Sequence, residues 1–211
     1  MLKKWLILFD NNFDNNFENN SDNNSDNNSM RHPITKEIIH LFETNGGSMY
    51  GGEAVTQLEH ALQCAELARK HNASHELITA SLLHDVGHLL HDLPDDASDK
   101  GIDDMHELLG EKYLTKHFTL AAVEPVKLHV AAKRYLCATE PGYLETLSAP
   151  SKISLEFQGG VMNEEEVLLF EKNEFYKEAV NLRRWDDLAK DPNLVSPSIE
   201  SFIEAIESSI K

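Results

Sequence analysis

Cysteine is nearly absent from this chain: Cys64 and Cys137 are the only two in 211 residues. Two cysteines cannot make a disulfide framework, and neither stands in a Cys-x-x-Cys spacing that would suggest structural zinc or thioredoxin-like chemistry. A reducing, cytoplasmic setting is expected. Basic charge is also scarce. Nineteen Lys and Arg face 36 Asp and Glu, giving a formal net charge of -17, the wrong sign for a chain that wraps a phosphate backbone. No nucleic-acid partner is expected. Apolar residues reach 41%, enough for one sizeable core at this length, but they never run for the roughly 18 positions that a membrane span needs. The apolar stretch Trp5-Leu6-Ile7-Leu8-Phe9 after Lys3 and Lys4 is too short for a secretory signal, and no small-residue cleavage site follows it. Neither export nor membrane insertion is expected. Alternating β-branched runs are missing too, which leaves helices as the building material.

Residues 10–29 repeat with period four: Asp-Asn-Asn-Phe twice, Glu-Asn-Asn-Ser once, Asp-Asn-Asn-Ser twice. Such polar low-complexity sequence has too little to bury to offset its ordering entropy. Residues 1–29 are therefore expected to be a disordered Asn-rich extension, and 30–211 a single domain, with Met30 as a candidate start of the working protein. From Pro33 onward apolar residues recur at helical spacing, first at Ile34, Ile38, Leu41 and Phe42. Four glycines between Gly46 and Gly52 mark a loop. A second helix carries Val55, Leu58, Leu62 and Ala65, and a third, capped by Ser74, is expected to run through Leu82 and Leu83 to His88. Residues 93–99 read as loop, and further helices are expected at 103–117, 121–136, 163–172, 173–189 and 198–210. The fold class expected is all-α.

The chemistry centres on His84-Asp85, a charge pair set in a segment of Leu, Ile, Ala and Ser. Burying such groups is costly without partners, and partners are available. His60 lies on the preceding helix beside the Leu58/Leu62 stripe. Asp186 continues the inward stripe Phe175, Ala179, Leu182, while Asp187, rotated by about 100°, can be an ordinary solvated carboxylate. His60, His84, Asp85 and Asp186 would together offer nitrogen and oxygen ligands to one first-row metal. His106 and His129, each unremarkable alone, complete a second site if Asp85 bridges through its two oxygens. Two divalent or trivalent ions against two carboxylates leave a net positive cluster, so an anion should bind there. Lys133 stands four residues after His129, Arg183 three before Asp186, and His88 four after His84, each one helical turn from a proposed ligand. Ser151 and Ser154 add two hydroxyls at i, i+3. These five are phosphate-group donors by type.

The stretch Tyr50-Gly51-Gly52-Glu53-Ala54-Val55-Thr56-Gln57-Leu58-Glu59-His60, with Leu82-Leu83-His84-Asp85-Val86-Gly87-His88, closely resembles the HD-domain mixed-valent diiron oxygenases that degrade organophosphonates. The likeness continues through Asp104-Met105-His106-Glu107, His129 to Leu136, Ser151 to Gly160 and Leu182-Arg183-Arg184-Trp185-Asp186, and so spans most of 48–190; the Asn-rich tract has no counterpart. The resemblance implies an HD-type helical bundle with an Fe(II)/Fe(III) pair on the six ligands named above. It implies that Tyr50, held by Glu53, occupies one iron until substrate displaces it. His88, Lys133, Ser151, Ser154 and Arg183 would then surround a phosphonate. The implied reaction is dioxygen-dependent cleavage of the carbon-phosphorus bond of 2-amino-1-hydroxyethylphosphonate to glycine and inorganic phosphate, or to glycine betaine when the amine is trimethylated. Tyr135, Tyr143, Phe157 and Trp185 are candidates for a cation-π wall around such an amine.

Two other readings fit the same ligands. An HD-type phosphohydrolase would act on a nucleotide or phosphate ester with no redox change, although the Tyr50/Glu53 pair has no task in hydrolysis. A metal-holding regulatory domain would keep the fold without catalysis, although open coordination positions would then have no purpose. The final apolar stripe, Ile199, Phe202, Ile203, Ile206 and Ile210, can cap the core or meet a second chain, leaving the oligomeric state open.

Overall fold

Chain segments rich in Leu, Ala and Ile at three- and four-residue spacing fold as helices wherever a cap starts them. The computed structural model describes residues 30–90 and 105–211. The expectations for residues 1–29 and 93–99 lie outside the described residues. Contacts divide the chain into residues 1–31 and residues 32–211, and the second unit holds every element discussed below. In order these are α1 (Pro33–Asn45), α2 (Gln57–Lys70), α3 (His75–Leu83), α4 (Val86–Leu89), α5 (His106–Leu114), α6 (Leu120–Thr139), α7 (Tyr143–Thr146), α8 (Ala149–Phe157), α9 (Glu164–Phe170), α10 (Tyr176–Leu188), a 3₁₀ turn (Ile199–Phe202) and α11 (Ile203–Ser208). Among the described residues there is no strand, only the isolated bridges Met49–Thr56 and Phe118–Ile210. The fold is all-α.

Caps explain several boundaries. Thr56 and Glu59 form a reciprocal capping box at the start of α2, and Asn163 with Glu166 does the same for α9. Ser74 caps α3 by accepting from the Leu77 amide. Ser148 caps α8, with Pro150 in its first turn. This last helix was not foreseen, although a serine cap followed by proline was there to be read.

The core lies where α2, α3, α6 and α10 pack together, with α10 against α6 and α2 against α3 the two most extensive pairings. Cys64, Ala65, Leu83, Val126 and Leu182 are fully buried there, and Ile38 of α1 joins the same cluster. The terminal stripe closes this core: Ile199, Phe202 and Ile206 are buried in the same cluster, so its apolar face is spent within the chain.

One expected helix is broken. The run from Ser74 to His88 is not continuous, because Asp85 leaves the helical region at φ -103 and ψ 15 and α4 restarts at Val86. The cause is a close approach by α5. A Cβ on Gly87 would stand 2.0 Å from the carbonyl oxygen of His106, so only glycine lets the two backbones meet. The break turns Asp85 between two pairs of histidines.

Candidate metal centre

Four helices and the break between α3 and α4 deliver the candidate ligands to one buried spot. His60 comes from α2, His84 and Asp85 from the break, His106 from the start of α5, His129 from α6 and Asp186 from α10. All six are at most 8% exposed. They fall into two sets. His60, His84 and Asp186 form one, and Asp85, His106 and His129 the other, each with ligand atoms close enough to hold one ion.

Asp85 joins the sets through its separate oxygens. Its Oδ2 lies 3.2 Å from His84 Nε2 and 3.7 Å from His60 Nε2, while its Oδ1 lies 3.3 Å from both His106 Nε2 and His129 Nε2. The Nδ1 atoms settle what the Nε2 atoms can do. His60 Nδ1 faces the Ala189 carbonyl at 2.8 Å, His84 Nδ1 that of Ser81 at 2.9 Å, and His129 Nδ1 that of Val126 at 2.6 Å. A carbonyl only accepts, so each Nδ1 carries a proton, which leaves Nε2 as the ring nitrogen that can bind a metal.

The Nε2 atoms face one another in pairs. His60 Nε2 and His84 Nε2 are 3.1 Å apart, and His106 Nε2 and His129 Nε2 are 3.2 Å apart. Asp85 Oδ1 is buried with no hydrogen-bond partner, a costly arrangement unless a cation is shared. Separations of this size are what bonds of about 2.1 Å to one ion produce, whether tetrahedral or octahedral. The residues fit a pair of metal ions bridged by one carboxylate.

Electrostatics run the same way. Burial opposes ionisation of Asp85 and Asp186, yet His84 beside the first and Arg183 beside the second hold both carboxyls well below their usual range. Tyr50 stacks on His60, with ring centroids 3.7 Å apart, and donates its hydroxyl to Asp186 Oδ1 at 3.3 Å. Burial, with Asp186 and Asp85 nearby, pushes the Tyr50 phenol well above its ordinary pKa.

The anion-binding candidates lie around this centre with unequal freedom. Lys133 is 2% exposed, donates to Ser154 Oγ at 2.7 Å, and is pulled down to about 7, first by burial and then by Arg183. Ser154 Oγ in turn donates to the Ser151 carbonyl at 3.2 Å. His88 stacks on His106 at 4.1 Å. Arg183 is already committed: it donates to Asp186 Oδ2 at 2.6 Å, to Tyr143 Oη at 3.4 Å and to Asp187 Oδ1. Asp187 is thus not the solvated carboxylate that rotation along α10 suggested. It also accepts from the Tyr143 hydroxyl, and the contact escaped sequence reasoning because Tyr143 lies 44 residues away.

The proposed aromatic wall is dispersed. Tyr135 packs with Phe170 and Tyr176 and also borders the cluster of Tyr143, Leu136 and Leu155, whereas Trp185 lies in the main core near His71 and Phe157 is exposed. Two residues that sequence reasoning passed over stand at the site's edge: Lys190 donates to Glu53 Oε1 at 2.9 Å, and Ser148 donates to the same oxygen at 2.6 Å. Lys190 is four residues after Asp186, the spacing that singled out Lys133 and His88, so the signal was present.

The HD-domain family model matches residues 58–190, which include all six candidate ligands. Over 175 residues the chain is 45% identical to a hydroxymethylphosphonate dioxygenase of Gimesia maris, an alignment covering 82% of this chain and 87% of that protein. The chain belongs to the HD-domain phosphonate oxygenase family. A second family member is the glycine-betaine-forming 1-hydroxy-2-(trimethylamino)ethylphosphonate dioxygenase of Leisingera caerulea, 38% identical over 177 residues, or 84% of this chain and 90% of that protein. An uncharacterized protein of Acanthamoeba polyphaga mimivirus is 38% identical over 165 residues, 77% of this chain and 74% of its own. Within this HD-domain oxygenase, no helix among the described residues is long and apolar enough to cross a membrane.

Proposed function

We propose that this protein is a diiron dioxygenase that cleaves the carbon-phosphorus bond of a small 1-hydroxyphosphonate, releasing inorganic phosphate. One observation carries the reading: two nitrogen-rich ligand sets share Asp85, with the buried Lys133 one helical turn beyond the ligand His129. His60, His84, Asp85 and Asp186 would hold one ion, and Asp85, His106 and His129 the other. An Fe(II)/Fe(III) pair there would supply dioxygen activation and a Lewis-acid anchor for the substrate's oxygens. The rest falls to the chain's own side chains. Lys133 and Ser154, already bonded to each other, present a cation and a hydroxyl to the phosphonate, with Ser151 one turn away and His88 against His106. Arg183 acts chiefly by fixing Asp186 and Asp187. Tyr50 covers the centre from the His60 side, its hydroxyl on Asp186, and leaves when substrate arrives. Residues 30–211 act as one catalytic domain with 1–29 as an extension, in the cytoplasm.

The substituent on C1 sets the product. 2-Amino-1-hydroxyethylphosphonate would give glycine and its trimethylated form glycine betaine, whereas hydroxymethylphosphonate would give formate, each with one phosphate and one dioxygen consumed. Two observations favour the small substrate. Trp185 and Phe157 lie apart from Tyr135 and Tyr143, so the four aromatics do not form one cage for an ammonium, and the Glu53 carboxylate is neutralised by Lys190. The test offers all three phosphonates to the iron-loaded protein and quantifies phosphate. Turnover of hydroxymethylphosphonate at least about tenfold faster than the others is expected, whereas a preference for an amine-bearing substrate restores glycine or betaine as the product.

A further inference from the structure

Lys190 has no place in the ligand sets, yet it connects three parts of the site. Its ammonium carries three protons, and each has an acceptor: Glu53 Oε1 at 2.9 Å, Ser151 Oγ at 3.1 Å and Ser148 Oγ at 3.4 Å. The same nitrogen lies 5.6 Å from the centroid of the Tyr50 ring, within cation-π range. The position of Lys190 is set by the centre itself, because the preceding carbonyl, of Ala189, faces His60 Nδ1 at 2.8 Å.

The acceptors belong to two different pieces of structure. Glu53 lies in the loop that carries Tyr50, turned by Gly51 at φ +40 and Gly52 at φ +78. Within this loop Tyr50 N donates to Val55 O at 2.9 Å and Glu53 N to Tyr50 O at 2.7 Å, while Gln57 N to Ser48 O and Leu58 N to Gly46 O, each at 2.9 Å, tie its ends. Ser148 and Ser151 cap and begin α8, which also supplies Ser154 to Lys133. Lys133 and Lys190 therefore flank Ser151 and Ser154 from opposite ends. With Arg183 engaged by two aspartates, these two lysines are the cations best placed for an anion at the serines.

We infer that Lys190 is a positioning residue that clasps the Tyr50 loop shut through Glu53 and exchanges that carboxylate for the phosphonate of an arriving substrate. The inference rests on the phosphonate reading above. A dianion at Ser151 competes with Glu53 for one ammonium, and two anions on one lysine repel each other. Binding at the serines thus loosens the loop that covers the centre.

The two partners of the clasp have opposite expected effects on affinity. Lys190→Gln removes a charge-assisted contact and weakens hydroxymethylphosphonate binding by about tenfold or more. Glu53→Gln frees the ammonium and strengthens binding several-fold. A plain ion pair that only braces the fold would move both variants in the same direction. Iron-loaded protein under nitrogen, which prevents turnover, is titrated calorimetrically with hydroxymethylphosphonate and, separately, with inorganic phosphate. Hydrogen exchange of the Tyr50 and Glu53 amides is followed alongside. In the unaltered protein exchange should be slow and should quicken on adding either anion; in both variants it should be fast from the start. Unchanged affinity in Lys190→Gln, or weakened affinity in Glu53→Gln, overturns the inference, and the second result stands even if the lysine variant folds poorly. Unaltered protein that binds neither anion under nitrogen and, in a separate aerobic sample, consumes no oxygen with hydroxymethylphosphonate refutes the phosphonate reading, while slow exchange in Lys190→Gln refutes the clasp alone.

Discussion

Asp85 sits at the break between α3 and α4 with one oxygen facing His60 and His84 and the other facing His106 and His129. Its removal should therefore cost more than the loss of any histidine. Asp85→Ala is expected to lose metal from both sets, whereas His129→Ala should keep about one ion per chain; metal content by elemental analysis checks this, and equal content in the two variants would contradict the bridge. Lys133 provides a pH dependence. Its neighbours are Arg183, Lys190, Asp186, Asp187 and Ser154, and its pKa of about 7 means that it carries its charge below neutrality and loses it above. Phosphonate affinity relative to Lys133→Gln, a ratio that cancels the ligand's own titration, should be about tenfold or more at pH 6 and approach one by pH 9. A ratio that stays constant would place Lys133 outside the anion site.

Gly87 shows how an element boundary serves the site. It permits α4 to touch the backbone of His106, so Gly87→Ala must push α5 away. Overpacking of this kind costs about 1–3 kcal/mol and should selectively deplete the metal held with His106, read as a lower melting temperature and roughly half the metal content. Such a break was not legible in the sequence. Periodicity reports which face of a helix is apolar, and α3 through α4 keeps its apolar face; the approach of His106 comes from another segment. The same reasoning separates what was legible at the site from what was not. His60, His84 and Asp186 declare themselves because each is a polar residue on an apolar stripe. Asp187, Ser148 and the Lys190–Glu53 pair do not, because their partners lie 44, 95 and 137 residues away. The helix α8 is legible from its Ser148 cap and Pro150 in the first turn.

At the scale of the whole molecule, four helices carry buried polar groups into the heart of the core, a placement that destabilises the fold unless a cation compensates. Ions that bind only the folded chain stabilise it by mass action, about 2.7 kcal/mol at a hundredfold excess over the dissociation constant. Chelation should then lower the melting temperature by about 5 °C or more for a chain of this size, measured calorimetrically with and without chelator; an unchanged transition would mean that the ligand sets hold no ion. Asp85 joins the two ligand sets next to the Tyr50 ring, where the proposed reaction would bring a phosphonate and dioxygen together. The most direct test is phosphate release from hydroxymethylphosphonate by the iron-loaded protein in paired aerobic and anaerobic samples, with a phosphate ester as control. Phosphate formed only with oxygen, one dioxygen consumed for each phosphate, is the predicted result, whereas equal release without oxygen, or cleavage of the ester instead, would contradict the oxygenase account and establish a hydrolase.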